Sequence, residues 1–385
     1  CPLTNQGRMI NFLNSLSKIH NVTLFSLDDG NKIKSEKITH YTYHIKNGIL
    51  NKLLKHSFFW LEFFELTKII KNQLEEKDFD FIICHDLPVL YPSLKLKKHF
   101  QSKLMYDSLE IYNETINQFF PATKGVKKVI SNFLIKFMRW NGEIAENFLI
   151  KKCDITTTVN TSLAKFFEEK YNVSNVKVIM NCPKKFHPNK EIEFNFREFY
   201  GFRPDDTIFL YQGFLNEGRG LEILIKSFNK LIKEYPTTRL IIIGSGPLLA
   251  KLKNLVEYYS LNKNIKFHRQ VDYNKLLNYT VQADFGINLL ESFNLSKKLA
   301  SPNKLFEYIQ AGIPVLCSFS PENNKLMNKF HIGEQCNNTT LGIYQSMKNL
   351  IEIRPENIIE LKKNIKKAQR IYNWTEQEKN LLSLF

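Results

Sequence analysis

A chain of 385 residues exceeds one ordinary hydrophobic core, so two domains are expected. Its composition, 43% hydrophobic and 24% charged, excludes collagenous, low-complexity and disordered classes. The net charge of +16 calls for an anionic partner. The basic residues are nevertheless dispersed, with no helix-turn-helix or RNA-binding signature, so nucleic acid is not expected.

In chain order, 8–19 reads as a helix and Val22–Leu27 (VTLFSL) as a strand. After a loop, 53–74 carries apolar residues at helical spacing. Short strands are expected at 79–84 (FDFIIC), 103–106 (KLMY), 155–159 (ITTTV) and 176–179 (VKVI). Asn181-Cys182-Pro183 and the polar run 184–197 read as a linker. The alternation then restarts, with strands at 208–211, 239–243, 265–268, 285–289 and 315–317. Helices at 221–235, 248–259, 273–280 and 301–311 separate them. Such alternation implies βαβ units and parallel sheets. Two doubly wound α/β halves would present a ligand cleft at the carboxyl ends of their strands. The chain starts at Cys1 in a loop-like stretch, and a strand is expected ahead of it.

The six cysteines are scattered singly, with no paired spacing for zinc or a disulfide framework. A reducing cytoplasm and no metal site are expected. No apolar run approaches the ~18–20 residues that span a bilayer.

The segment SPNKLFEYIQAGIPV (301–315) carries the sharpest signal. Ser301 reads as N-cap, Pro302 as the first helical residue, and Gly312 and Pro314 as the stop. Lys304 then sits in a first turn whose free N–H groups already carry partial positive charge, where acidic groups are favoured. Asn303, Lys304 and those N–H groups would converge on an anion. Glu307, one turn on, could accept hydrogen bonds from a ribose; the plainer alternative is a surface Lys–Glu pair. The loop QGFLNEGRG (212–220) sits between a strand and a helix, where Gly213 permits close backbone approach and Arg219 could meet a phosphate. The turn Gly244-Ser245-Gly246 lacks a full dinucleotide-binding pattern.

Together, YQGFLNEGRGLEILI, RLIIIGSGP, IKFHRQV, ADFGINLLE, SPNKLFEYIQAGIPV and YNWTEQEKNLL resemble family 4 retaining glycosyltransferases of the GT-B fold, in a branch with a P-N-K-x-x-E motif. QGRMINFLNSLSK, DFIICHDLPVL, KLMYDSLEIYNE and CDITTTVNTSLAKFF extend a looser resemblance through the first half. The resemblance implies two Rossmann-like domains, 1–183 for the acceptor and 184–368 for the donor, with 369–385 crossing back to the first. It implies that Arg219 and Lys304 hold the donor's pyrophosphate, Glu307 the ribose and His268 the base. Gly213, Gly244, Gly246, Pro302, Asn303 and Leu305 would line the donor. Asp107 and Glu110 would do polar work near the reacting sugar, and Gly7, Arg8 and His85 would face the acceptor. No cofactor is implied beyond a nucleotide diphosphate sugar, a UDP-sugar by resemblance. Three positions depart from the family pattern: Leu299 replaces the first glutamate of Glu-x7-Glu, Phe214 an arginine, and Leu109 the histidine of D-S-H-E.

Between Phe119 and Leu149, Lys124, Lys127, Lys128, Lys136 and Arg139 alternate with bulky apolar residues. That pattern suits peripheral contact with an anionic membrane. The 53–70 stretch is a second candidate, with packing on the sheet as the preferred alternative. The leading expectation is a cytoplasmic hexosyltransferase, at the inner membrane face for a lipid-linked acceptor, serving a surface glycan. A GT-B sugar-nucleotide epimerase and a non-catalytic nucleotide-sugar-binding protein stand as alternatives.

Overall fold

The computed structural model describes residues 7–27, 30, 32–33, 35–44, 58–61, 63–74, 78–116, 125–187 and 194–385. These fall into two compact units. One comprises 22–180 with 294–300; the other comprises 1–21, 181–293 and 301–385. Residues 1–21, expected in the first domain, therefore cluster with the later half.

The chain opens with α1 (Gly7–Leu16), which belongs to the second unit. Within the first unit, β1 (Val22–Leu27) pairs in parallel with β2 (Ile38–Tyr43), a strand the sequence pattern does not announce. A separate four-stranded parallel sheet runs β3 (Phe81–His85), β4 (Lys103–Ser108), β5 (Ile155–Thr158) and β6 (Lys177–Val178), side by side in chain order. Its helices are α2 (Leu66–Gln73), α3 (Leu90–Phe100), α4 (Tyr112–Thr115), α5 (Val126–Ile150) and α6 (Thr161–Tyr171).

The continuous helix expected over 53–74 is not what forms in its described part. Residues Phe59–Leu61 make a single 3-10 turn before α2. Phe59 is driven into the core, and Trp60 donates to Asn141 Oδ1 at 3.0 Å. Burial of these aromatics, worth roughly 2–3 kcal/mol each, outweighs local helical periodicity. Residues 53–57 of that stretch lie outside the described residues, as do Phe119, Phe120, Lys124 and the side chain of Lys127.

The second unit continues with α7 (Phe196–Tyr200), β7 (Thr207–Gln212), α8 (Leu221–Leu231), β8 (Thr238–Ile243), α9 (Leu249–Tyr258), β9 (Ile265–His268), α10 (Leu276–Thr280) and β10 (Phe285–Asn288). The short α11 (Leu295–Leu299) returns to the first unit. Then follow α12 (Asn303–Ala311), β11 (Val315–Ser318), α13 (Pro321–Phe330), β12 (Gly333–Cys336), α14 (Thr340–Ile351), α15 (Pro355–Ile371) and α16 (Trp374–Leu382). The parallel sheet runs β12-β11-β10-β7-β8-β9. Chain order reverses between β10 and β8, with β7 at the turning point, and ligands of such sheets bind beside the strand ends there. Apolar residues of β7, β8 and β10 meet Leu224, Ile225 and Phe228 of α8 in one core. Helix α16 packs on α1: Trp374 Nε1 donates to Ser15 Oγ at 2.9 Å, its ring lies 5.9 Å from Phe12, and Lys18 pairs with Glu378 at 2.7 Å.

One buried carboxyl in the first unit is held without a cation. Glu146 of α5 accepts hydrogen bonds from Tyr106 (2.7 Å), Tyr171 (2.6 Å) and Asn113 (2.8 Å). Burial pushes it up to about 7, against the lowering effect of those donors. The folded state therefore keeps a proton that the unfolded chain releases near pH 4.5. This contribution is complete below that pH and is lost as pH rises through 7, at most about 3 kcal/mol. Glu146→Gln should flatten the decline of this unit's thermal midpoint between pH 5 and 8; an unchanged slope would contradict the assignment.

Candidate functional site

Two glycine-bearing loops lie side by side where β7 and β8 end. Gly213 N–H donates to Ile243 O (3.0 Å), Leu215 N–H to Ser245 O (2.9 Å) and Leu248 N–H to Leu215 O (3.0 Å). A Cβ on Gly244 would stand 2.0 Å from Gly213 O, and one on Gly246 2.4 Å from Leu215 O, both at positive φ. Those two glycines hold the loops together. Gly213 (φ +129°) is different: it is exposed, and a Cβ there would sit 3.7 Å from Lys304 Nζ. Its missing side chain keeps the approach to that ammonium open.

Helix α12 begins one residue later than the sequence pattern indicates. Pro302 is the N-cap in extended geometry (φ −64°, ψ 132°), without a side-chain cap, and Asn303 is the first helical residue. Nothing on the capping side chain satisfies the first N–H groups. The helix is fixed from below by Tyr308, whose Oη lies 3.1 Å from the carbonyls of both Leu210 and Ile287. The Tyr308 ring fills the space above Gly286, where a Cβ would approach it to 2.4 Å. Leu305 is buried in the core rather than lining an open surface, whereas Asn303 is exposed.

This anchoring buries Lys304 to 7% exposure, and its Nζ has no hydrogen-bond partner among the described residues. The ammonium rests over the Tyr211 ring, 3.7 Å from its centroid. Burial, with the positive charge of Arg219, drives it well below the ordinary lysine range, and Glu307 only partly opposes this. Glu307 is equally buried and forms no ion pair with Lys304; it accepts instead from Gln212 Nε2 at 2.5 Å. Gln212 is aimed in turn by Thr280, which donates to its Oε1 at 2.8 Å. Burial raises the Glu307 carboxyl, against Gln212 and Lys304. The structure thus brings Gly213, Arg219, Lys304 and Glu307 into one electrostatic neighbourhood.

Other expected residues sit differently. Arg219 is half-buried and reaches Asn216 Oδ1 at 3.3 Å. His268 ends β9 among Phe194, Phe196, Phe199, Tyr200 and Tyr279, with Nδ1 2.9 Å from Tyr200 Oη. Burial, then Arg269, depresses its pKa. Gly7 backs onto Tyr273, which a Cβ would meet at 2.9 Å, and Arg8 is buried with its guanidinium 4.7 Å from the Phe12 ring. Both belong to the second unit, whereas an acceptor-side role placed them with the first.

The first unit gathers its own polar cluster at the ends of β3 and β4. Parallel register sets His85 opposite Asp107, with Nδ1 2.9 Å from Oδ2. Thr157 of β5 donates to Asp107 Oδ1 at 2.6 Å, completing a fully buried orientation of that carboxylate. Asp86 was missed by sequence reasoning. It takes φ +64°, ψ 162°, a region almost reserved for glycine. Its Oδ1 accepts from Leu109 N–H at 3.2 Å, and burial, with nearby Glu110, raises it to about 7. The only sequence signal was its place in CHDLP, directly after His85. Leu299, at the end of α11, packs against this unit's core, and its carbonyl accepts from Asn160 at 2.9 Å. The position of the absent glutamate is thus filled by a packing residue.

Two units with parallel α/β sheets agree with the GT-B fold, which comparison with solved structures bears out. Sucrose-phosphate synthase from Thermosynechococcus elongatus matches with TM-score 0.72 at 15% identity, covering 98% of this chain and 91% of that one. Anabaena HepE, solved with UDP and glucose, matches with TM-score 0.69 at 12% identity, covering 97% and 94%. Residues 193–370 match the family model described as glycosyl transferases group 1. An uncharacterised glycosyltransferase of Haemophilus influenzae is 23% identical over 206 residues, 54% of this chain and 50% of that protein. The chain spans half or less of the length of the curated relatives it matches.

An unpaired buried lysine weakens a fold unless an anion meets it. Lys304→Met should raise the thermal midpoint of the protein alone by about 2–4 °C, corresponding to about 1 kcal/mol. Pyrophosphate should then stabilise the wild type but not the variant. A variant less stable than wild type, with no pyrophosphate effect on either, would contradict the site.

Proposed function

We propose that this chain is a retaining glycosyltransferase that moves a hexose-type sugar from a nucleotide diphosphate sugar to a surface-glycan or lipid-linked acceptor. The observation that carries the proposal is Lys304: buried, unpartnered, in the first turn of an uncapped helix, facing the bare backbone of Gly213. A diphosphate supplies the negative charge that arrangement lacks. Lys304 and Arg219 stabilise charge that grows on the leaving diphosphate as the glycosidic bond breaks. Glu307, held by Gln212, accepts hydrogen bonds from ribose hydroxyls. The group 1 family match over residues 193–370 supports glycosyl transfer. The UDP and glucose of the HepE structure make a UDP-sugar the first donor to try. No cofactor beyond the nucleotide sugar is part of the proposal, and the proposed location is the cytoplasm.

In the first unit, His85 oriented by Asp107 is proposed to do the polar work that Leu109 cannot. Its imidazole is fixed by a carboxylate, the arrangement that sets tautomer and aim in acid–base sites. His85→Ala should cut turnover by about 100-fold or more while leaving UDP affinity within about twofold. Equal losses in both would place His85 in donor binding instead.

The overall test is hydrolysis or transfer across a panel of nucleotide sugars. Release of a nucleoside diphosphate from at least one donor is expected, abolished by Lys304→Met. No binding or turnover of any donor would overturn the proposal, and conversion of a donor to its isomer without acceptor would mark an epimerase.

A further inference from the structure

Helix α5 buries one face and leaves the other bare. Inward, Met138, Ala145, Leu149 and Ile150 join the core, with Glu146 held among its three donors. Outward, Val129, Ile130, Phe133, Trp140, Ile144 and Phe148 are 53–70% exposed. At 3.6 residues per turn these six fall within one arc of about 100°, running about 28 Å along the helix. Exposed apolar residues scattered singly need no explanation, but six large ones on one helical face do.

The rim of this arc is basic. Lys136 on the helix, and Lys151 and Lys152 just past its end, are exposed. Lys152 lays its Nζ 3.6 Å from the Phe148 ring centroid, so its stem follows the apolar surface. The helix has two acidic side chains, and neither offsets the rim: Glu146 is buried, and Glu143 pairs with Lys170 at 3.0 Å. A second copy of a chain carrying +16 is a poor occupant, because apposing two such surfaces is electrostatically unfavourable.

We infer that the outer arc of α5 docks on an anionic lipid bilayer. The helix lies in the plane of the interface, with its aromatic and aliphatic groups at the acyl boundary and its lysines at the phosphate level. Among the described residues, no helix is long and apolar enough to cross a membrane. The inference rests on the lipid-linked reading of the acceptor for its purpose, but its support is separate, and vesicle binding requires no sugar nucleotide.

The test is flotation of the full chain with phosphatidylcholine vesicles, with and without about 30% phosphatidylglycerol. Binding to the anionic vesicles only is expected, falling as salt is raised. Phe133→Glu with Trp140→Glu should weaken partitioning by about tenfold or more, with thermal midpoint and donor turnover unchanged. A failure of donor turnover alongside intact vesicle binding would count against the transferase and leave the docking surface standing. No binding to anionic vesicles, or binding indifferent to the double substitution, would overturn the inference. So would a wild-type dimer that the same variant dissociates, since the arc would then be an interface between copies.

Discussion

Lys304 occupies a position that the fold alone does not favour. It starts a helix whose N–H groups are already electropositive, it is buried, and its ammonium has an aromatic face for company but no hydrogen-bond acceptor among the described residues. The surrounding structure makes sense as a device for holding it there. Tyr308 bolts α12 to the carbonyls of β7 and β10, and Gly286 makes room for the ring. Gly244 and Gly246 keep the neighbouring loop against the one that carries Gly213, and Gly213 leaves the approach clear. On the proposed reading, the stability withheld by one unpaired cation is returned by a bound anion, which converts folding strain into ligand affinity.

The two units divide the chemistry unequally. In the second, Lys304, Arg219 and the backbone of Gly213 gather at the uncapped start of α12. In the first, the polar groups lean on one another: His85 on Asp107, Asp107 on Thr157, and Asp86 sits in a strained turn tied to Leu109 N–H. Leu109 and Leu299, two of the three departures from the resembling family's pattern, meet different fates. Leu299 is absorbed into packing, while Leu109 offers its backbone to Asp86. The polar groups of this unit therefore gather around His85, one strand away from where the motif would put them.

Much of this was legible in the sequence because long alternations of buried strand and amphipathic helix fix an α/β fold with little ambiguity. IFLY and RLIII are short apolar runs of the length of buried parallel strands, and SPNKLFEYIQAG carries its own helix start and stop signals. The strand GEQC was not legible, since an edge strand paired on one side only need not be apolar. ITHYTY was not legible either, since two polar residues in a row interrupt its alternation and only one of its six side chains is buried. The His85–Asp107 pair joins residues 22 apart in sequence, and only parallel register brings them together. The burial of Lys304 was likewise invisible, because sequence shows a lysine in a first turn but not the tyrosine beneath it.

The central claim is that an arriving diphosphate completes the Lys304 site electrostatically. Its most direct measure is calorimetry of UDP binding at pH 8.5 in buffers of differing ionisation enthalpy, which counts protons exchanged. Burial and Arg219 depress Lys304 in the protein alone and a bound diphosphate should raise it again, so binding should draw protons from solution to the extent that the free amine has lost its own. The account predicts net proton uptake by the wild type and none by Lys304→Met. Binding without proton uptake, or the same uptake by both proteins, would contradict it.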